Sequence, residues 1–310
     1  MTRKTNRREF FGRASLLAVG LAAGERASAE QAKAAAPIER KGRSRIKLSM
    51  AAYSFRQYLT AKENPMTLFD FIDLCAELGL DGTELTCYYF PRDPTPEYFA
   101  QIKRRAFLNG LDVSGTAVSN RFALPPGKER EGQIAYVKKW VDYAAAMGAG
   151  VIRVYSGAQP KGASLEQAQN WAAECFQETC DYAGQKGTFL ALENHGGISV
   201  GADLLLALVE KVKSPWFGIL MDTGNFQTKD PYKDMERVAP YTVTVQCKTD
   251  LRPEGGQRQP MDYDRVISIL RGVNYSGYIA LEYEAKEDPK TGAPKAIEQL
   301  RKALQRAWKV

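Results

Sequence analysis

The feature that most constrains the fold is a regular alternation of strand-type and helix-type segments from Ile46 to the C-terminus. Short apolar runs alternate with longer segments whose apolar residues recur at helical spacing, and several of these segments begin at Pro, Ser, Thr or Asp. Strands are predicted near residues 46–54, 82–88, 112–119, 150–156, 188–194, 217–222, 242–248 and 277–283. Helices are predicted near residues 67–78, 95–109, 130–147, 164–186, 202–212, 231–238, 262–271 and 293–307.

Eight strand–helix units within residues 46–310 are what a (β/α)8 TIM barrel requires. Each helix would cross over between neighbouring strands, which makes the sheet parallel. An open doubly wound sheet is the alternative, but no glycine-rich phosphate-binding sequence follows the first strand. We therefore expect an α/β fold with a single TIM barrel domain over residues 46–310.

The N-terminus has the features of an export signal. Residues 1–29 contain the arginine pair Arg7–Arg8, a short apolar run at residues 14–23, and a small-residue cleavage sequence at Ala27-Ser-Ala29. A membrane span needs about 20 apolar residues, which is twice the length of this run. We predict a twin-arginine signal peptide at residues 1–29, a flexible leader at residues 30–45, and a periplasmic or extracytoplasmic protein without a stable membrane anchor.

The net charge gives little reason to expect a nucleic acid partner. The whole chain carries +7, but residues 1–29 hold six of its 43 Lys and Arg and two of its 36 Asp and Glu, so cleavage would leave +3. A basic domain that binds nucleic acid has a larger and more localised excess. A small-molecule partner is expected instead, and the sequence is compatible with an oligomer.

The last four predicted strands end in oxygen-donor side chains, namely Glu193, Asp222, Gln246 and Glu282. The two-residue period of a strand places further polar side chains on the inward face. They are Glu84, Arg153, Tyr155, His195, Lys248 and Glu284. Buried charges at this density need partners or a metal ion, and the active site of a TIM barrel lies at the carboxyl ends of its strands. The sequence therefore predicts one shared polar site.

These motifs carry a family resemblance. The segments Leu192–His195, Met221–Asn225, Gln246–Lys248 and Leu281–Glu284 resemble the metal-site motifs of the xylose isomerase-like TIM barrels, which include ketose 3-epimerases, inosose dehydratase and isomerase enzymes, and endonuclease IV. The epimerase branch uses Glu, Asp, His and Glu as ligands. The resemblance therefore implies metal ligation by Glu193, Asp222 and Glu282, with Gln246 where His is commoner, and it places Asn225 where an epimerase-type Asp-x-x-His has its His.

The implied ligands are all oxygen donors, which suits Mn²⁺ or Mg²⁺ better than Zn²⁺. Glu193 and Glu282 would then transfer protons next to a sugar carbonyl, and Lys248 would donate to the developing oxyanion. His195 is expected to contact substrate or to transfer a proton. Glu84, Arg153 and Asn225 are the other expected substrate contacts.

Three functions remain compatible with the sequence. The first is a metal-dependent isomerase or epimerase that acts through an enediolate on an unphosphorylated carbohydrate. The second is a metal-dependent lyase or hydratase of keto-sugars or 3-keto-glycosides, because elimination begins with the same proton abstraction. The third is a non-catalytic sugar-binding barrel. A nuclease with the three-zinc site of endonuclease IV is not expected, because such a site needs several histidines and the chain has one.

Overall fold

A computed structural model of the protein describes residues 36–309, so the predicted signal peptide and the first part of the leader lie outside the described residues. Eight parallel strands, labelled here β1 to β8, close into a barrel in which each strand pairs with its neighbours in the chain and β8 pairs with β1. The strands are Arg45–Ala51, Gly82–Thr86, Asp112–Ala117, Val151–Val154, Phe189–Glu193, Phe217–Asp222, Thr242–Cys247 and Ser276–Leu281. The prediction of a TIM barrel is confirmed.

Eight principal helices of the described chain, α1 to α8, surround the barrel. They are Leu68–Glu77, Pro96–Leu108, Lys128–Met147, Leu165–Gln185, Gly201–Val209, Pro231–Val238, Tyr263–Gly272 and Pro289–Trp308. Local chemistry sets their starts. Thr67 and Ser164 accept hydrogen bonds from the backbone at the beginnings of α1 and α4 as parts of capping boxes, which satisfies amide groups that a helix start leaves unpaired. Three helices begin at a proline, whose missing amide hydrogen costs nothing at that position.

The apolar face of the strands packs against the helices as the two-residue period predicts. Leu48, Leu85, Ile152 and Leu190 all lie in the buried core. Burial of such side chains stabilises the fold by roughly 1.5–3 kcal/mol each. Their polar neighbours in the sequence point to the barrel axis and are free to build a site there.

Several strands end earlier than predicted. The strand β2 stops at Thr86, β4 at Val154 and β5 at Glu193, because the residues that follow turn away from the sheet into loops. Tyr155 and His195 therefore lie in the loops after β4 and β5. Their predicted places on the inward face of the strands were wrong.

The described part of the predicted leader is attached to the amino end of the barrel. The amide of Ile38 donates to the carbonyl of Pro240 at 2.8 Å, and Arg40 Nη2 donates to the carbonyl of Thr242 at 2.6 Å. Arg40 also lies over the ring of Tyr275, 5.1 Å from its centre. Ile38 and Arg40 thus contact the barrel, while the flexibility of the leader stays a prediction. Among residues 36–309, the helices are too short or too polar to cross a bilayer.

Candidate active site

Three carboxylates are buried together at the carboxyl end of the barrel. Glu193 is the last residue of β5, Asp222 is the last residue of β6, and Glu282 directly follows β8. Their exposed fractions are 2%, 0% and 7%. Since an ionised carboxylate loses strong hydration when it is buried, this cluster requires compensating positive charge.

Lys248, which follows β7, supplies part of that charge. Its Nζ lies 2.5 Å from Glu282 Oε2 and 3.4 Å from Asp222 Oδ2, and it also donates to Glu284. The lysine reaches this position because residue 224 is a glycine. A Cβ at Gly224 would lie 2.5 Å from Lys248 Cγ, so any other residue there would push the lysine away.

Arg153 on β4 pairs with the cluster from the opposite side. Its Nε lies 3.2 Å from Glu193 Oε2, and its Nη1 donates to the carbonyl of Val118. The other oxygen of Glu193 accepts a hydrogen bond of 3.0 Å from Asn225 Nδ2. Two of the predicted substrate contacts, Arg153 and Asn225, are therefore placed to hold the Glu193 carboxylate. Their contact with a substrate stays a prediction.

Gln246 and Glu84 meet inside the barrel. Gln246 Nε2 donates to Glu84 Oε1 at 2.5 Å, and each side chain is only 2% exposed. A side-chain amide has one donating nitrogen and one accepting oxygen. Because the nitrogen of Gln246 faces Glu84, its oxygen is the atom that remains available for a cation. Glu84 thus lies next to a predicted ligand, and its contact with a substrate stays a prediction.

Asn194 fixes the relative position of two of the carboxylates, a role that the sequence did not reveal. Its Nδ2 donates to the carbonyl of Asp222 and its Oδ1 accepts from the amide of Asp222, both at 2.9 Å. This pair of bonds ties the end of β5 to the end of β6. The only signal in the sequence is its position inside the Glu193-Asn-His195 motif.

Burial also changes the acidity of the cluster. Loss of solvent raises the pKa of Glu193 and of Asp222 well above their ordinary values, even though Arg153 and Lys248 act in the opposite direction. Burial raises the pKa of Glu84 to about 8, while its hydrogen bond from Gln246 opposes the change. The two cations therefore do not fully compensate the buried negative charge.

The donor chemistry of the cluster fits a divalent cation. Five carboxylates, at positions 84, 193, 222, 282 and 284, face only Arg153 and Lys248. Within residues 36–309, the buried Asp222 Oδ2 accepts no hydrogen bond, and the Lys248 ammonium at 3.4 Å is its ion-pair partner. The positions of these side chains suit an ion less well than their chemistry does. In the part of the chain that the structure describes, no three His, Cys, Asp or Glu side chains lie close enough together to hold one. In this arrangement the Lys248 ammonium lies among the carboxylates, and a bound cation would compete with it for Asp222 and Glu282.

His195 lies in the loop after β5, near enough to Asp222, Lys248 and Glu282 for their charges to act on its ring. Its ring is partly exposed and packs on Tyr155, with 4.4 Å between the ring centres. Partial burial and the nearby Arg153 lower the pKa of His195, so the ring is mostly neutral at pH 7. Its contact with a substrate stays a prediction.

Aromatic side chains form part of the mouth of the barrel, and the sequence analysis gave them no role. Tyr53 and Tyr88 meet edge to face at 6.4 Å, and Tyr88 contacts Tyr89 at 6.1 Å. The guanidinium of Arg56 lies 4.9 Å from the centre of the Tyr53 ring. The run of two tyrosines after β2 was the available signal, because aromatic rings placed just after a barrel strand reach the face that binds substrate.

The comparisons with known proteins agree with the fold. A family model described as "Xylose isomerase-like TIM barrel" matches residues 72–303. No curated protein sequence matches the chain at a significant level.

Several solved structures share the architecture. The 3-keto-D-glucoside 4-epimerase of E. coli superposes with a TM-score of 0.67 at 15% identity, covering 83% of this chain and 100% of that chain. A D-tagatose 3-epimerase-like protein gives a TM-score of 0.69 at 16% identity, covering 85% and 98%. An IolI protein with a bound zinc atom gives 0.64 at 17% identity, covering 83% and 96%. At these identities the likeness establishes a common fold.

Proposed function

Because the chain belongs to the xylose isomerase-like TIM barrel family, we propose that it is a metal-dependent isomerase or epimerase of an unphosphorylated carbohydrate. The observation that carries the proposal is the burial of Glu193, Asp222 and Glu282 together at the carboxyl ends of the strands. Solved proteins with this fold include two that are described as an epimerase or as epimerase-like. Buried carboxylates with raised pKa values, such as Glu193 and Asp222, are typical of catalytic sites, where burial tunes a group for proton transfer.

The residues that would hold the ion are Glu193, Asp222, Gln246 and Glu282. Three carboxylates and one amide oxygen form a hard, negatively charged donor set, which favours Mn²⁺ or Mg²⁺. A bound divalent ion would polarise a sugar carbonyl and stabilise the negative charge that develops on its oxygen.

Glu193 and Glu282 are the residues proposed to move the proton. They lie on β5 and β8, which are separated in the barrel by β6 and β7, so they approach a sugar in the mouth from different sides. One carboxylate would remove the proton from the carbon next to the carbonyl, which gives an enediolate, and the other would return a proton to the opposite face. Lys248 would donate to the oxygen that becomes negative, since its ammonium already lies between Glu282 and Asp222.

The test is a conversion assay with controlled metal content. The mature protein is stripped with a chelator, reloaded with Mn²⁺, Mg²⁺ or Zn²⁺, and incubated with a panel of free and 3-keto sugars. We expect a stereoisomer or positional isomer of one sugar to form only in the reloaded samples, fastest with Mn²⁺ or Mg²⁺. Release of an aglycone or water would identify a lyase instead, and sugar binding without any conversion would identify a binding protein.

We also propose that the protein is exported in its folded state, a proposal supported by Arg7–Arg8 and by Ala27-Ser-Ala29. Replacing both arginines with lysine keeps the charge of the N-terminus and removes the motif. The double variant is expected to accumulate in the cytoplasm at its full length, as measured by fractionation and mass spectrometry. The matched control carries Arg3→Lys together with Lys4→Arg, which keeps the charge and leaves Arg7–Arg8 in place. Normal export of the Arg7→Lys, Arg8→Lys protein would contradict the proposal.

A further inference from the structure

The ammonium of Lys248 lies where a divalent ion would need to bind. Its Nζ is 2.5 Å from Glu282 Oε2 and 3.4 Å from Asp222 Oδ2, and both carboxylates belong to the set that would hold the ion. Two cations in contact with the same buried carboxylates repel each other strongly, because little solvent screens them. An ion therefore cannot reach its full set of ligands unless Lys248 Nζ moves.

Glu284 offers the ammonium a second position. Lys248 Nζ donates to Glu284 Oε2 in addition to its contacts with Asp222 and Glu282. The side chain of Glu284 is 34% exposed, whereas those of Asp222 and Glu282 are 0% and 9% exposed. Glu284 is also outside the set of residues that would hold the ion. It can therefore keep the ammonium when the two buried carboxylates turn to another cation, and water can solvate part of that pair.

A cavity beside the cluster gives the lysine room for this shift. Its volume is about 390 Å³, and Lys248 and Glu284 both line it. Two arginines of the same wall have other partners. Arg258 Nε lies 2.8 Å from Asp250 Oδ1, and Arg252 Nε donates to a backbone carbonyl of its own loop at 3.3 Å. The space next to Glu284 is thus bounded by side chains whose main contacts do not involve Lys248.

Gly224 confines the movement to the end of the lysine side chain. A Cβ on this glycine would lie 2.9 Å from Lys248 Cβ and 2.5 Å from Lys248 Cγ, so the base of the side chain packs closely against the backbone there. The bonds nearer the ammonium can still change between staggered rotamers. Lys248 can therefore leave Asp222 and Glu282 without any change in the barrel strands.

We propose that Lys248 is an exchangeable counter-ion, which pairs with Asp222 and Glu282 until a divalent cation binds there and then pairs with Glu284 alone. This inference rests on the metal dependence in the proposed function and assigns Lys248 and Glu284 a role in it. The exchange moves one ammonium and breaks no covalent bond. It sets the affinity for the ion, because binding includes the free energy needed to separate Lys248 from two buried carboxylates. It also keeps the ammonium beside the ion, where the proposed reaction needs a donor.

Calorimetric titration of chelator-treated protein with Mn²⁺ tests the exchange without an activity assay. Lys248→Met removes the competing charge and keeps much of the length of the side chain. This variant is expected to bind Mn²⁺ at least about tenfold more tightly than wild type, which is within the range of coupling between groups in contact. Its melting temperature without metal should fall, since buried carboxylates lose their cation, and Mn²⁺ should restore it.

Glu284→Gln tests the second position and keeps the lysine, so it decides the matter even if Lys248→Met does not fold. Because Lys248 loses its alternative partner, Mn²⁺ should bind at least about tenfold more weakly. In the Lys248→Met background the same substitution should change the affinity by less than about threefold. The matched control is Asp250→Asn, which removes a negative charge from the same cavity wall, where the partner is Arg258. It should bind Mn²⁺ as wild type does.

The outcomes separate this proposal from the proposed function. Equal or weaker Mn²⁺ binding by folded Lys248→Met would overturn the exchange, and so would a Glu284→Gln protein that binds Mn²⁺ as Asp250→Asn does. An effect of Glu284→Gln that is equally large in both backgrounds would also overturn it. In each of these cases, Mn²⁺ binding by wild type would leave the proposed function standing. The expected affinities without deuterium uptake from a sugar would support the exchange and refute the isomerase, and no Mn²⁺ binding by any of the proteins would refute both.

Discussion

Glu193→Gln and Glu282→Gln are each expected to lower turnover by about 10²–10⁴, and the loss should persist at saturating Mn²⁺. The physical reason is that glutamine can still offer an oxygen to an ion but cannot accept and return a proton. Both side chains are almost fully buried, and glutamine has nearly the same shape as glutamate, so the substitution keeps the packing around them. The measurement is kcat at increasing Mn²⁺ with the sugar identified in the conversion assay.

Two variants calibrate this experiment. Gln246→His should keep measurable activity, because imidazole is also a competent ligand. Glu210→Gln makes the same chemical change at an exposed position at the end of α5 and should behave as wild type. If excess metal restored full turnover to both glutamate variants, these residues would be ligands alone, and the proton-transfer role would move to His195 or Lys248.

The second large effect is expected for Asp222→Asn, which should weaken metal binding without lowering the stability of the metal-free protein. Asp222 is 0% exposed, its Oδ1 accepts from the amide of Gly224 at 2.8 Å, and its Oδ2 has no hydrogen-bond partner within residues 36–309. Asparagine can keep the bond from Gly224 while it removes one negative charge from a cluster in which five carboxylates face two cations. Without metal, and at pH 8 where Asp222 is ionised, the variant should be at least as stable as wild type, because the raised pKa of Asp222 means that the folded state disfavours its charged form.

With bound metal, the wild-type protein should be the more stable of the two. The loss of one negative ligand is expected to weaken Mn²⁺ binding by at least about 10–100-fold, so the metal-induced rise in melting temperature should shrink. Calorimetric titration and thermal unfolding on the same samples measure both effects. An Asp222→Asn protein that is strongly destabilised without metal, and that binds Mn²⁺ as wild type, would show that Asp222 is a structural residue.

The fold was predictable from the sequence because its signal is repeated eight times. The apolar faces of the strands, the helix starts at Thr67 and Ser164, and the helix-breaking glycines all report on local geometry, which the neighbouring residues determine. Strand ends were less predictable. Tyr155 and His195 continue the two-residue alternation in the sequence, but the chain leaves the sheet before either of them.

The contacts within the site were harder to predict because they join distant parts of the chain. Gln246 meets Glu84 across 162 positions of sequence, and that contact decides which atom of the Gln246 amide is available for a cation. The loops after β4 and β5 meet where Gly197 lies against the carbonyl of Gly157. No periodicity in the sequence encodes such contacts, because they depend on how the barrel closes.

The most direct test of the central claim is to recover the sugar substrate after incubation in deuterated water and to locate deuterium by NMR. The account predicts that carbon-bound deuterium accumulates next to the carbonyl with the Mn²⁺-loaded wild-type protein. It predicts no such uptake with chelator-treated protein, and uptake at least about 10²-fold slower with Glu193→Gln or Glu282→Gln. Conversion of the sugar to an isomer with no deuterium at any carbon, or equal deuterium uptake in the wild-type and glutamine proteins, would contradict it.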